Sequence, residues 1–111
     1  MNTQHKELQK RWQNLSFFEQ MANVGSEVER ALNWQEKGNR EYSVLAFERA
    51  LELLDFTTEG IKEVHRLKEL KRVREALVDY FTQFNYYGSS AQLWRNYFYA
   101  FNYAARLGAK Q

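Results

Sequence analysis

The sequence predicts an all-α protein: an antiparallel bundle of four principal helices preceded by a polar extension. Three observations carry this. The 111 residues include no proline and only five glycines, so little interrupts a helix. Apolar residues recur at three- and four-residue steps through most of the chain. No segment sustains the two-residue alternation of a half-buried strand. A chain of this length that is 44% apolar can bury a core without a metal or disulfide, so one domain is expected. Residues 1–14 form the extension and residues 15–108 the bundle.

The elements follow in order. Residues 1–14 are a polar lead-in that can be helical but has little to bury except Leu8 and Trp12. Ser16-Phe-Phe-Glu19 reads as a capping box, in which hydroxyl and carboxylate satisfy each other's orphan N–H groups. The helix after it carries Phe17, Met21, Val24, Val28, Ala31 and Leu32 on neighbouring faces. Gly25 costs that helix about 1 kcal/mol relative to alanine, which points to a close helix approach there. Gly38 supplies a left-handed stop, and Asn39 can cap the next helix. That helix has a wide apolar face including Tyr42, Leu45, Phe47, Ala50 and Leu54. A turn is expected at Thr57-Thr-Glu-Gly60. The following helix begins somewhere between Ile61 and Arg66, and its seam is regular only from Leu70 through Val73, Leu77, Tyr80 and Phe84. Residues before Leu67 can be loop. Asn85-Tyr-Tyr-Gly88 is a turn, Ser89-Ser-Ala-Gln92 a second capping-box candidate, and the last helix should run to Leu107 and close at Gly108.

Composition excludes more than it assigns. Cysteine is absent, which removes disulfides, thiolate ligands and a cysteine nucleophile. The two histidines, His5 and His65, stand in no metal-binding spacing, and no inward Glu-x-x-His pair exists for a di-metal bundle. Glu48 and Glu52, one turn apart, read as exposed charges. There is no glycine-rich phosphate loop and no nucleophile elbow. No catalytic residue, cofactor or metal is therefore expected. The polar start MNTQHKELQK does not resemble a secretory signal, and no apolar run approaches bilayer length. A soluble cytoplasmic protein, without a membrane partner, is the expectation.

The net charge of +2 hides a polarity along the chain. Residues 27–59 hold eight acidic against four basic residues, whereas residues 62–74 hold six basic against two acidic. Lys62, Arg66, Lys71 and Arg72 are the candidate nucleic-acid contacts. The competing account, favoured by the scatter of these cations around the helix, is a solvated surface balanced by Glu27, Glu29, Glu48 and Glu52. Arg30 and Arg49 interrupt apolar faces and are expected in partly buried ion pairs that fix register.

Eleven of the eighteen aromatic residues lie between Tyr80 and Tyr103. Within Leu93–Leu107, helical geometry sends Trp94, Tyr97, Phe98 and Phe101 inward with Ala104 and Ala105. Tyr99 and Tyr103 lie on the other side, sharing it with Arg95, Asn102 and Arg106. Tyrosine and arginine are enriched at binding hot spots, so Arg95, Tyr99, Asn102, Tyr103 and Arg106 form a candidate partner-binding strip. The alternatives are contacts with the N-terminal extension or with a second copy. A non-enzymatic interaction module that self-associates through the aromatic C-terminal hairpin is the leading expectation.

Two stretches, Glu27-Val-Glu-Arg-Ala-Leu-Asn-Trp-Gln-Glu-Lys-Gly38 and Ala46-Phe-Glu-Arg-Ala-Leu-Glu-Leu-Leu54, resemble the first half of HEPN domains. These are small helical bundles associated with nucleotidyltransferases and RNase toxins. The resemblance covers about a quarter of the chain. Nuclease members carry an arginine shortly before a histidine. Neither His5 nor His65 has one at that spacing, so the resemblance implies a non-nuclease member, with nucleic acid or nucleotide binding as the alternative function.

Overall fold

A computed structural model of the chain describes residues 3–109, with side chains for 6–108; His5 lies outside the described side chains. The described residues form five α-helices and no strand: α1 Thr3–Gln13, α2 Phe17–Glu36, α3 Arg40–Glu59, α4 Val64–Thr82 and α5 Ala91–Ala109. The expected all-helical class is present, and the polar lead-in, open to either helix or coil from its sequence, forms a fifth helix.

The reason is Trp12. Its indole is 6% exposed, and its Nε1–H donates to the Thr57 hydroxyl at 2.8 Å. Burying an indole removes about 150–250 Å² of surface, worth roughly 4–6 kcal/mol as an upper figure. That gain offsets much of the ordering cost of a short helix. Hydrogen bonds fix the pose: Gln20 donates to the carbonyls of Trp12 (2.8 Å) and Leu15 (3.2 Å), Gln13 to that of Phe56, and Gln9 to the Glu59 carboxylate.

The caps of α2 are those its residues imply. The Glu19 N–H donates to Ser16 Oγ at 3.1 Å, and the Ser16 N–H to Glu19 Oε1 at 3.0 Å. These bonds hold the Glu19 carboxyl below its usual range. At the other end Gly38 takes φ +79°. Its N–H donates to the Gln35 carbonyl and that of Asn39 to the Trp34 carbonyl, the paired bonds of a Schellman stop. Asn39 Oδ1 then accepts from the Tyr42 N–H at 3.0 Å, starting α3.

The expected turn at residues 57–60 is mostly helix. Thr57 is fully buried, and the Thr57 and Thr58 hydroxyls donate back to Leu53 and Leu54 within α3. Only Gly60 breaks it, and three residues later Glu63 caps α4 by accepting from the His65 and Arg66 N–H groups at 2.9 and 2.7 Å. These bonds lower the Glu63 pKa. The second capping box does not form, and a single serine cap one residue later takes its place. Ser90, not Ser89, accepts from the Leu93 N–H, because Ser89 is engaged by Asn85 and by the Trp94 indole. Helix α5 continues through Gly108, where a stop was expected.

α2 is the central helix. Met21, Val24, Val28, Ala31 and Leu32 are sealed against Leu54, Phe56, Leu70 and Leu77. α3 and α5 pack closely on α2, α4 approaches α3, and α4 and α5 make no comparable backbone approach. Arg74 pairs with Asp55 at 2.9 Å and the Phe47 and Phe81 rings lie 5.0 Å apart, joining α3 to α4. Phe17 meets Phe101 edge-on at 5.8 Å, joining α2 to α5.

Two sequence expectations fail in the packing. Tyr42, Leu45 and Phe84, assigned to apolar faces, are exposed, Phe84 at 83%. Helix α4 ends at Thr82, so the seam does not continue to residue 84. Arg30 and Arg49 also point to solvent: Arg30 pairs only with Glu27 on its own helix, at 3.4 Å. The interhelical ion pairs of the described residues belong instead to Arg74 and Arg95.

Candidate interaction surface on the C-terminal hairpin

Helix α5 has two contrasting faces. Trp94 and Phe98 are buried, and Tyr97, Phe101, Ala104 and Ala105 are half-buried, as the helical projection places them. Gly25 is the reason α5 can sit so near α2. A Cβ on that glycine would lie 2.7 Å from Phe98 Cβ, well inside contact distance.

Tyr99 and Tyr103 point outward, 60% and 53% exposed, with Asn102 and Arg106 also exposed. Arg95 does not join them as a free side chain. It lies in the α2–α5 seam, donating to Glu29 (2.8 Å), Glu36 (2.8 Å) and Asn33 (3.2 Å). Its hydrogen bonds to Glu36 and then to Glu29 push its pKa further up. The physical reason is its place at the edge of the outward face, where a long guanidinium reaches α2 carboxylates before it reaches solvent. Between Arg95 and Tyr99 a groove of about 420 Å³ opens over Gly25, Ser26 and Asn102.

Three outward residues escaped the sequence reading. Leu93 (57% exposed), Ala100 and Leu107 share the face of Tyr103 at seven-residue spacing. The signal was available: α5 contains no acidic residue, and its only cations are Arg95 and Arg106. A solvated helix face is normally charged.

The loop before α5 adds to this surface. Phe84, Tyr86 and Tyr87 are all exposed, and their display is built by a buried carboxylate. Asp79, 2% exposed, accepts from the Tyr86 N–H at 2.9 Å and the Tyr87 N–H at 3.0 Å. Asn85 takes φ +56° and bonds Ser89 through both ends of its amide. A charge-assisted pair of backbone bonds in a 2%-exposed site is a strong constraint. No periodicity argument could have marked Asp79.

α4 and α5 leave a second groove of about 380 Å³, lined by Arg72, Val73, Ala76, Tyr87, Leu93 and Tyr97 among others. It is bridged by hydroxyls. Tyr97 donates to Glu69 at 2.7 Å and Tyr87 to Glu75 at 3.3 Å. Burial first, and that bond second, raise the Tyr97 pKa strongly.

Lys62, Arg66, Lys71 and Arg72 are all exposed on α4 and its lead-in. Arg66 stacks over the Phe17 ring at 4.0 Å. Among the described residues none of the four expected balancing acids forms an ion pair with them: Glu27 pairs with Arg30 and Glu29 with Arg95, while Glu48 and Glu52 are exposed on α3. Among the described residues no three His, Cys, Asp or Glu side chains gather as a metal site, and no helix is long and apolar enough to cross a membrane. No protein family, characterised protein or solved structure matches the chain.

Proposed function

We propose that this chain is a non-enzymatic interaction module that binds a second copy of itself through the α4–α5 hairpin. α2 to α5 form an antiparallel four-helix bundle, with α1 strapped across α3. The residue pairs support this arrangement, since 17 meets 101 while 36 meets 95, and 47 meets 81 while 55 meets 74. The single observation behind the function is the outward face of α5. It presents Leu93, Tyr99, Tyr103 and Leu107 to solvent with no acidic residue among them, beside three exposed rings on the preceding loop. Such contiguous apolar display is uncommon on a monomer. Light scattering after size exclusion tests it. The native chain is expected as a dimer. Changing Tyr99→Ser together with Tyr103→Ser should shift it to monomer with unchanged helicity, each lost hot spot weakening association roughly 30-fold. A native chain that is monomeric at every concentration sinks the reading.

A second reading rests on a different observation, the placing of Arg72 in a groove with Tyr87, Trp94 and Tyr97. A cation beside aromatic rings is how single strands are held without sequence preference. With Lys62, Lys71 and Arg66 nearby on the same helix or its lead-in, this is the HEPN-like nucleic acid or nucleotide binder. It requires RNA or DNA affinity that falls steeply as salt rises. Anisotropy of a labelled oligonucleotide at low salt tests it, and a flat titration removes it.

A further inference from the structure

The outward face of α5 is nearly symmetric about its middle. Ala100 is exposed and central, with Leu93 seven residues before it and Leu107 seven after. Two heptads keep all three on one face, drifting only about 20° per heptad. Between them lie Asn96 and Tyr103, also exposed. This is a short coiled-coil-like seam with a small residue at its centre.

We infer that two copies pair through antiparallel α5 helices crossing at Ala100, the two-fold axis passing beside that residue. The inference rests on the self-association reading and specifies its geometry. In a two-fold interface each residue meets the one at the mirrored height. Leu93 then packs on the partner's Leu107, Ala100 on its own copy, and Tyr103 comes within one residue of the level of the partner's Asn96. Alanine at the crossing lets the axes approach to about 8 Å, the close end of the packing range.

Charge selects this pairing independently. Arg106 forms no ion pair among the described residues. Mirrored about Ala100 it falls level with the partner's Trp94, one residue from the partner's Arg95, on the same flank. There Glu29 and Glu36 share one guanidinium, leaving a net negative charge for an incoming cation.

The extent also fits. The strip from Leu93 to Leu107 is only about 21 Å long, too little alone for the roughly 1,000 Å² of a stable interface. The antiparallel arrangement brings the end of the partner helix to the loop rings, since Tyr87 and Leu93 line one groove. Phe84, Tyr86 and Tyr87 thus enlarge the contact at both ends.

Because the chain has no cysteine, single introduced thiols report the geometry. Ala100→Cys should oxidise to a covalent dimer in high yield, its exposed position tolerating the change. Leu93→Cys and Leu107→Cys should each stay uncrosslinked alone yet form a mixed disulfide when combined. Arg106→Glu should weaken the dimer about tenfold. A native dimer in which Ala100→Cys fails to cross-link, or Leu93→Cys links to itself, overturns the antiparallel geometry and leaves self-association standing. A native monomer in light scattering overturns both.

Discussion

The two seams of α5 are built on opposite principles. Against α2 the backbones come close: Gly25 admits Phe98, and Arg95 bolts the edge to Glu29 and Glu36, leaving a groove only on the outer side of that contact. Against α4 the backbones stay apart, and phenol hydroxyls span a groove that solvent enters. The difference shows what holds α5 in place. One side supplies shape complementarity and the other only polar tethers, so the apolar atoms on the α4 side and the outer face remain unburied. A helix anchored along one edge can present the rest of its circumference to a partner without losing its position.

The largest effect that would break this contrast is Phe98→Ala. Truncating a buried ring costs about 3–5 kcal/mol, whereas Leu93→Ala, on the exposed outer face, should change the stability of the monomer, at a dilution below dimer formation, by no more than about 0.5 kcal/mol. Urea denaturation of the two variants measures the gap, and equal losses would mean that α5 is held as firmly from the groove side. Gly25→Val comes next. Its branches would press on Phe98 Cβ, which cannot rotate away because it is fixed to the α5 backbone. Overpacking of about 1–3 kcal/mol should exceed the helix-propensity gain from removing glycine, and the unfolding midpoint should drop.

Gly25 was also among the features legible in the sequence. A glycine inside a strong helical pattern has few uses other than close approach, and local signals at Ser16, Gly38 and Asn39 likewise act within a few residues. The division of rings on α5 followed from helical geometry alone. What stayed illegible depends on partners distant in the chain. Trp12 and Gln13 hold the first helix in place only because Thr57 waits 45 residues on from the one and Phe56 43 residues on from the other. Arg95 looks free until Glu29 and Glu36 are brought alongside it. Asp79 looks like one more solvated acid until the chain folds back and offers it two N–H groups. Glu63 hid the start of α4, since glutamate is an unusual cap.

Arg95→Met sharpens the comparison on its electrostatic side. It keeps most of the aliphatic bulk at the α2–α5 edge and removes the fork shared by Glu29, Glu36 and Asn33. The site is partly exposed, so a loss of about 1 kcal/mol is expected. Added salt should narrow the difference between native and variant, because it screens the native pairs and relieves repulsion between the two carboxylates. A salt-independent difference would assign the loss to packing instead.

The smallest expected effect lies at the α4–α5 seam, in the Tyr97 hydroxyl. Tyr97→Phe deletes one bond to Glu69 and should cost about 0.5–1.5 kcal/mol at neutral pH. Its signature is the pH dependence. Burial and the adjacent carboxylate raise the folded-state pKa of Tyr97 above the ordinary value of 10.0, so its neutral form is favoured in the folded chain. Below about pH 10 the phenol is protonated folded and unfolded, and this contribution is fully present. Above it the unfolded chain sheds a proton that the folded chain keeps, and stability falls as pH rises toward the folded value. Tyr80, raised mainly by burial, acts in the same direction, so the variant should retain a shallower alkaline decline. Urea midpoints at about pH 9 and about pH 11, native against Tyr97→Phe, read the difference. Parallel declines would show that the phenol ionises without opening the groove, and that the bond to Glu69 does not hold α4 against α5.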